Sequence, residues 1–366
     1  MSRGTIARLD LAALAHNFAA VCRLASPSRV IAVIKADAYG HGLLRVARVL
    51  RDADMFAVAT LDEALAIRAA GLSTPVLLLE GFHEPLELPE IAAQRFDVVV
   101  HHPAQVAALQ AQRNMTFGRI WLKSDTGMHR LGLPAAAVRP AWEDLNRHPG
   151  IAAIGLMSHL ACADQPAHPQ NAQQIASFRQ TFAGLPGPRT LANSAALLNF
   201  PETRLDWVRP GLLLYGISPL SNCPAAKPVQ RIALKPVMSL HSRLIAVHNL
   251  AAGEAVGYGA AWRAARPTRL GIAAIGYGDG YSRRLPSGVP VLVNGRRAEL
   301  AGHVSMDMIA IALPDDIPAE VGDEVLLWGG ALPVEEVAAA AGMIPYELVC
   351  GITRRVEYQE HSQPQP

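Results

Sequence analysis

A chain of 366 residues, 51% of them hydrophobic, has material for one large domain and a smaller companion. Its 33 Lys and Arg stand against 31 Asp and Glu, a balance that speaks against a nucleic-acid or acidic-surface partner. Cys22, Cys162, Cys223 and Cys350 lie far apart with no CxxC pair, which argues against a disulfide framework or a metal site.

The first stretch, "MSRGTIARLDLAALAHN", places Arg3, Arg8 and Asp10 where a signal peptide would need an apolar core. No later apolar run reaches membrane-spanning length, so a cytoplasmic protein with no membrane contact is expected. Apolar strand-like runs then follow at 30–34 (VIAVI), 55–59, 75–80, 96–100, 118–123, 151–158, 189–193 and 205–209. Between them lie helical stretches such as "LDEALAIRAAG" and "AAAVRPAWEDLNRH". Unbroken apolar strands separated by helices predict a parallel sheet covered on both faces. Eight such units in roughly 200 residues predict an α/β fold whose N-terminal part, 1–229, closes into a (β/α)8 TIM-type barrel. From about residue 230 the texture becomes Gly-, Pro- and Asn-punctuated strands, and "PVEEVAAAAGM" alone looks helical. A smaller, mostly β C-terminal domain is therefore expected over 230–366, with "SNCPAAKPVQ" as linker and "HSQPQP" as a disordered tail.

The active site of a parallel barrel forms at the C-terminal ends of its strands. Polar residues collect there: Lys35 after the first strand, Lys123 after the fifth, His159 after the sixth, Asn193 and Ser194 after the seventh, and Arg209 after the eighth. Singly, each has a structural explanation, such as a snorkelling lysine or a surface ion pair. Five at one end of five strands favour a functional one. A lysine in an apolar setting has its pKa lowered, which suits a Schiff base with a carbonyl compound such as pyridoxal phosphate. The phosphate of that cofactor would need a cradle, and Ser194, the flexible Gly211 and the Tyr39 hydroxyl supply its parts.

These residues sit in motifs that resemble a known family. "AVIKADAYGHG" (32–42), "WLKSDTGMHRLG" (121–132), "MSHLACAD" (157–164), "LANSAALLNF" (191–200), "WVRPGLLLYG" (207–216), "AVGYGAAW" (255–262), "AGHVSMDMIAI" (301–311) and "IPYELVCGITRRV" (344–356) are similar, in family order, to the bacterial alanine racemases. The resemblance implies a fold-type-III pyridoxal 5'-phosphate enzyme that interconverts L- and D-alanine, working as a homodimer with shared active sites. It implies that Lys35 carries the cofactor and is one catalytic base, and that Tyr258, from the neighbouring subunit, is the other. Arg130 would contact cofactor and substrate, and Lys123 matches a lysine that is N-carboxylated in many relatives. Met306 and Asp307 would meet the substrate, Tyr39, Ser194, Gly211 and Tyr346 the phosphate. His159 and Arg209 belong to the network under the pyridine ring.

Two bases on opposite faces are the simple way to take a proton from one side of a carbon and return it to the other. An arginine, always charged, can only donate, so Arg209 would leave the pyridine nitrogen unprotonated and the carbanion less delocalised. A decarboxylase of the same fold group and a non-catalytic cofactor carrier are disfavoured, the first by Arg209 and chain length, the second by Tyr258 and Met306. A racemase of wider substrate range stays open, as does the choice between cell-wall supply and catabolism. "GYGDGY" (276–281) lacks the spacing of a dinucleotide loop and reads as a β turn.

Overall fold

The computed structural model describes residues 3–220 and 232–361. The linker reading and the last five residues of the tail fall outside them. Two units emerge. The first, residues 17–214 with 232–233, is a closed parallel barrel. Preceding its first strand in the chain are a strand, β1 (Ile6–Asp10), and a helix, Leu11–Ala25. The barrel strands are β2 (Arg29–Val33), β3 (Met55–Val58), β4 (Val76–Leu78), β5 (Asp97–Val100), β6 (Phe117–Lys123), β7 (Ile151–Met157), β8 (Arg189–Asn193) and β9 (Trp207–Arg209). They pair in sequence order and β9 returns to β2. Strands such as Met55–Val58 and Val76–Leu78 are buried at every position because helices cover the outer face and side chains fill the lumen.

The bottom of the barrel is built for stability. Trp121 and Trp207 meet edge to face at 6.1 Å, and the Arg119 guanidinium lies 5.3 Å from both rings. Gly155 leaves the space Trp121 fills, since a Cβ there would come within 2.4 Å of the indole. The Asp97 carboxylate accepts from Trp121 Nε1 at 3.1 Å, and burial raises its pKa.

The second unit contains residues 3–16, 215–220 and 234–361. Its strands are β10 (Met238–Leu250), β11 (Ala255–Val256), β12 (Trp262–Arg263), β13 (Thr268–Ala273), β14 (Pro290–Val293), β15 (Arg296–Leu300), β16 (Ile309–Leu313), β17 (Glu324–Trp328) and β18 (Glu357–His361). The pairing runs β13-β16-β15-β14-β17-β10, and β13 also pairs with the long β10, so the antiparallel ladder closes on itself. Strand β1 joins this sheet, antiparallel to β10 and parallel to β18. It lies within the span read as barrel, yet it serves the β-rich unit by burying Ala7 and Leu9 there and turning Arg8 and Asp10 outward. A second short helix, Pro345–Cys350, accompanies the expected one at Val334–Ala340. Proline at its first position starts it. "GYGDGY" forms a 3-10 turn, Tyr277–Asp279, with Asp279 fully buried between Arg3 (3.1 Å) and Arg355 (3.3 Å).

Candidate active site

At the C-terminal end of the barrel the backbone after β2 does something unusual. Ala36, Asp37, Ala38 and Tyr39 have φ of 54, 52, 54 and 54°, four non-glycine residues in a left-handed turn that Gly40, at 76°, continues. Each such residue costs roughly 1–2 kcal/mol through Cβ–carbonyl crowding. Local bonds hold the turn: Ala38 N–H to Ile34 O (2.9 Å), Gly42 N–H to Asp37 O (2.9 Å) and Leu43 N–H to the Asp37 carboxylate (2.6 Å). The buried His41 ring sits with Nδ1 2.9 Å from Tyr39 O, and burial pushes its pKa down to about 4. Lys35 enters the turn and Tyr39 leaves it. A left-handed turn of four non-glycine residues is the kind of backbone strain that functional sites store.

Opposite the turn, the Ser194 hydroxyl accepts from Gly211 N–H at 2.9 Å and from Leu213 N–H at 3.5 Å. Asn193 caps the helix Ser194–Asn199 by accepting from Ala196 N–H at 3.0 Å. A side chain at Gly211 would stand 2.4 Å from Tyr39 Oη, so the tyrosine hydroxyl reaches the same cradle as Ser194.

Arg209 is buried and donates to Thr190 Oγ1 (2.6 Å), Ser158 O (2.6 Å), Leu191 O (3.3 Å) and His159 Nδ1 (3.3 Å). Because a guanidinium only donates, His159 accepts at Nδ1. Asp206 instead accepts from Arg189 N–H, so the ordinary ion pair for Arg209 is not made. Burial lowers Arg209 to about 10, which leaves it charged at neutral pH. Burial, then the charges of Arg209, Lys123, Arg130 and Lys35, hold His159 well below its ordinary value, and so neutral.

Lys123 is also buried, and its pKa falls to about 8 through desolvation and then the neighbouring Arg209, Arg130 and Lys35. Asp125, its ordinary partner candidate, spends its carboxylate on its own loop. It accepts from the backbone N–H groups of Gly127, Met128 and His129 and pairs with the His129 ring at 2.9 Å. The result is four cations around one neutral histidine, an arrangement that attracts an anion.

The barrel unit thus brings together Lys35, Tyr39, Lys123, Arg130, His159, Asn193, Ser194, Arg209 and Gly211. The β-rich unit holds the other four. Tyr258 sits at the tip of the β11–β12 hairpin, 71% exposed and flanked by Gly257 and Gly259 at φ 70 and 71°. Met306 is 53% exposed, and Asp307 pairs with Arg355 at 2.5 Å. Tyr346 lies in the helix Pro345–Cys350. Sequence reasoning missed Thr190 and Ser158, the partners of Arg209, and it missed Glu63. The Glu63 carboxylate accepts from Ala36 N–H (2.7 Å), Asp37 N–H (3.4 Å), Ala59 N–H (2.8 Å) and Thr60 N–H (3.4 Å). One signal was readable: "TLDE" (60–63) is a capping box, and the structure forms it.

Among the described residues no cluster of His, Cys, Asp and Glu is arranged to hold a metal ion, and no helix is long and apolar enough to cross a membrane. Two family models match the chain, the alanine racemase N-terminal domain over residues 9–219 and the C-terminal domain over 237–359. An alanine racemase of Shewanella amazonensis is 48% identical over 357 residues, covering 96% of this chain and 97% of that protein. The crystal structure of the biosynthetic alanine racemase from Pseudomonas aeruginosa superimposes with a TM-score of 0.94 at 46% identity, covering 99% of this chain and 100% of that one. That of the Bartonella henselae alanine racemase, with covalently bound pyridoxal phosphate, gives 0.88 at 28% identity over 98% and 99%.

Proposed function

The chain belongs to the alanine racemase family, and from that premise we propose how its own residues perform the interconversion of L- and D-alanine with pyridoxal 5'-phosphate. The cofactor fits the barrel end on donor chemistry. Its phosphate suits the space between Ser194, the bare Gly211 backbone and the Tyr39 hydroxyl, and its anionic oxygens suit the surrounding cations. Held by Lys35, it supplies an electron-withdrawing ring that makes the α-hydrogen of a bound amino acid acidic.

In this reading Lys35 Nζ and Tyr258 Oη serve the two faces of the α-carbon, the lysine taking or returning the proton on the D side and the tyrosine on the L side. Arg209 would offer the ring nitrogen a donor and no acceptor, which would disfavour protonation of that nitrogen. His159, kept neutral, passes no positive charge to the ring. Arg130 binds the substrate carboxylate, with Met306 and Asp307 completing the substrate pocket. Tyr346 adds a phosphate contact. Lys123, half-deprotonated near pH 8, can take up carbon dioxide as a carbamate, and the neighbouring Arg209, Arg130 and Lys35 would stabilise that anion. We place Tyr258, Met306 and Asp307 in the site of a second copy, an exchange that an isologous homodimer makes reciprocal. The exposure of Tyr258 and Met306 supports this arrangement. The similarity to a biosynthetic racemase favours supply of D-alanine, in the cytoplasm, over its breakdown.

The observation that carries the residue assignments is the cationic cluster of Lys35, Lys123, Arg130 and Arg209 around His159, beside a cradle that only a glycine at position 211 leaves open. The test is a panel of L-amino acids incubated with the purified, cofactor-loaded chain, with the D-products resolved by chiral chromatography. D-alanine as the dominant product supports the reading, whereas equal turnover of larger side chains favours a broad-specificity racemase.

A further inference from the structure

Four consecutive L-residues do not take a left-handed turn by preference, because each places its Cβ against the following carbonyl oxygen. The turn at Ala36–Tyr39 nevertheless determines what the site can do. Lys35 stands at its start, and at its end Tyr39 reaches Gly211. Were the turn to reverse hand, Tyr39 would swing out of the cradle while Lys35 stayed at the strand end, and the two groups would no longer serve one ligand.

We propose that Glu63 is the positioning residue for Lys35 and Tyr39. One carboxylate oxygen takes the Ala36 and Asp37 N–H groups, the first two of the left-handed turn, at 2.7 and 3.4 Å. The other takes the Ala59 and Thr60 N–H groups, at 2.8 and 3.4 Å, in the loop after β3. A single anion therefore staples the turn to the neighbouring strand end. An ordinary capping glutamate closes only its own helix; here Oε1 is spent 27 residues upstream, on the turn. Only a carboxylate can serve both pairs of donors, because an amide must turn its NH2 toward one of them.

The proposal rests on the cofactor reading given above. Its test compares the wild-type holoenzyme with Glu63→Gln and with Thr60→Ala. The second removes the hydroxyl that caps the same helix, accepting from Glu63 N–H, and leaves the turn's bonds intact. Three quantities are read besides the melting temperature: the rate of cofactor loss, the visible circular dichroism of the bound cofactor, and hydrogen exchange over residues 36–43. With a charge-assisted pair lost, Glu63→Gln should release cofactor about tenfold faster, alter the dichroism and deprotect 36–43. Thr60→Ala should lower only the melting temperature. Ala36→Gly in the Glu63→Gln background should restore part of the loss, because glycine enters the left-handed region without the Cβ clash.

If Glu63→Gln shifts the melting temperature alone, in step with Thr60→Ala, Glu63 merely caps its helix and the proposal falls. If Glu63→Gln does not accumulate folded, Ala36→Gly/Glu63→Gln is compared with Ala36→Gly on the same three quantities, and equal values overturn the proposal. Hydrogen exchange reads the turn without cofactor. A wild-type chain that retains no cofactor would therefore count against the functional reading, and an equally protected turn in Glu63→Gln against this one.

Discussion

Gly211→Ala probes the proposed phosphate cradle with one methyl group. Gly211 lies outside the positive-φ region, so alanine meets no backbone strain there. The peptide itself is pinned, its N–H on Ser194 Oγ at 2.9 Å and its carbonyl accepting from Leu214 N–H at 2.9 Å. The new Cβ would stand 2.4 Å from Tyr39 Oη and 3.0 Å from its Cζ. With the backbone fixed, the tyrosine must retreat by about 1 Å to reach ordinary contact distance. That takes its hydroxyl out of hydrogen-bond reach of a phosphate oxygen, and a bond to a charged group is worth roughly 1.5–3 kcal/mol. Cofactor affinity should drop by about 10- to 100-fold, measured by fluorescence titration of the cofactor-free chain. In a Tyr39→Phe background the closest atom is gone, so the same glycine substitution should cost much less. Wild-type affinity in Gly211→Ala, or equal losses in the two backgrounds, would refute a shared Tyr39–Gly211 cradle.

Lys35→Ala should abolish racemisation and the borohydride-reducible cofactor linkage while retaining phosphate-dependent cofactor binding; a linkage that survives reduction in the variant assigns it elsewhere. Lys123, at about 8 in the fold, releases its proton before the unfolded chain does, so stability should rise with pH between 8 and 10.5, by up to about 3 kcal/mol. Urea midpoints in carbonate-free buffer should show that rise in the wild type and not in Lys123→Met. His41, at about 4, stays neutral in the fold while the unfolded chain protonates near 6.5, so stability should fall as pH drops from 6.5 to 4, and less in His41→Asn. Lys35→Ala and Tyr258→Ala chains, each inactive, should recover roughly a quarter of wild-type activity when mixed, dissociated and reassembled, since half the dimers are hybrids with one intact site of two; no recovery, with exchange verified, would place both residues in one chain's site.

What could be read from the chain and what could not divide along a physical line. The eight barrel strands were legible because burial on both faces forces unbroken apolar runs such as Val98–Val100, all fully buried. Strand β1 was not, because five alternating residues beside charges carry little signal and its parallel partner β18 lies at the far end of the chain. The helix Pro345–Cys350 is too short for a periodic pattern to stand out. In the proposed site, Lys35, Ser194 and Arg209 could be nominated because their side-chain chemistry is written in the sequence and the strand ends place them together. Tyr258 could not be found that way. An exposed tyrosine between glycines looks like any hairpin tip, and only the family resemblance singled it out.

The left-handed turn is the clearest case of illegibility. Of Ala36, Asp37, Ala38 and Tyr39, only Asp37 enters positive φ with any ease, and one such residue among four does not mark a turn. The local bonds to Ile34, Gly42 and Leu43 exist only once the turn has formed, so the letters do not announce them. On the proposal above, Glu63 adds the long-range hold, though the capping box identifies it as a helix start and nothing more. Its partners in the turn are the backbone N–H groups of Ala36 and Asp37. A backbone amide is the same in every residue but proline, so no choice of letters at 36 and 37 records that it is held. A lysine proposed for catalysis announces itself by its identity, whereas a residue proposed to hold its loop shows itself only where the folded chain brings a carboxylate to those amides.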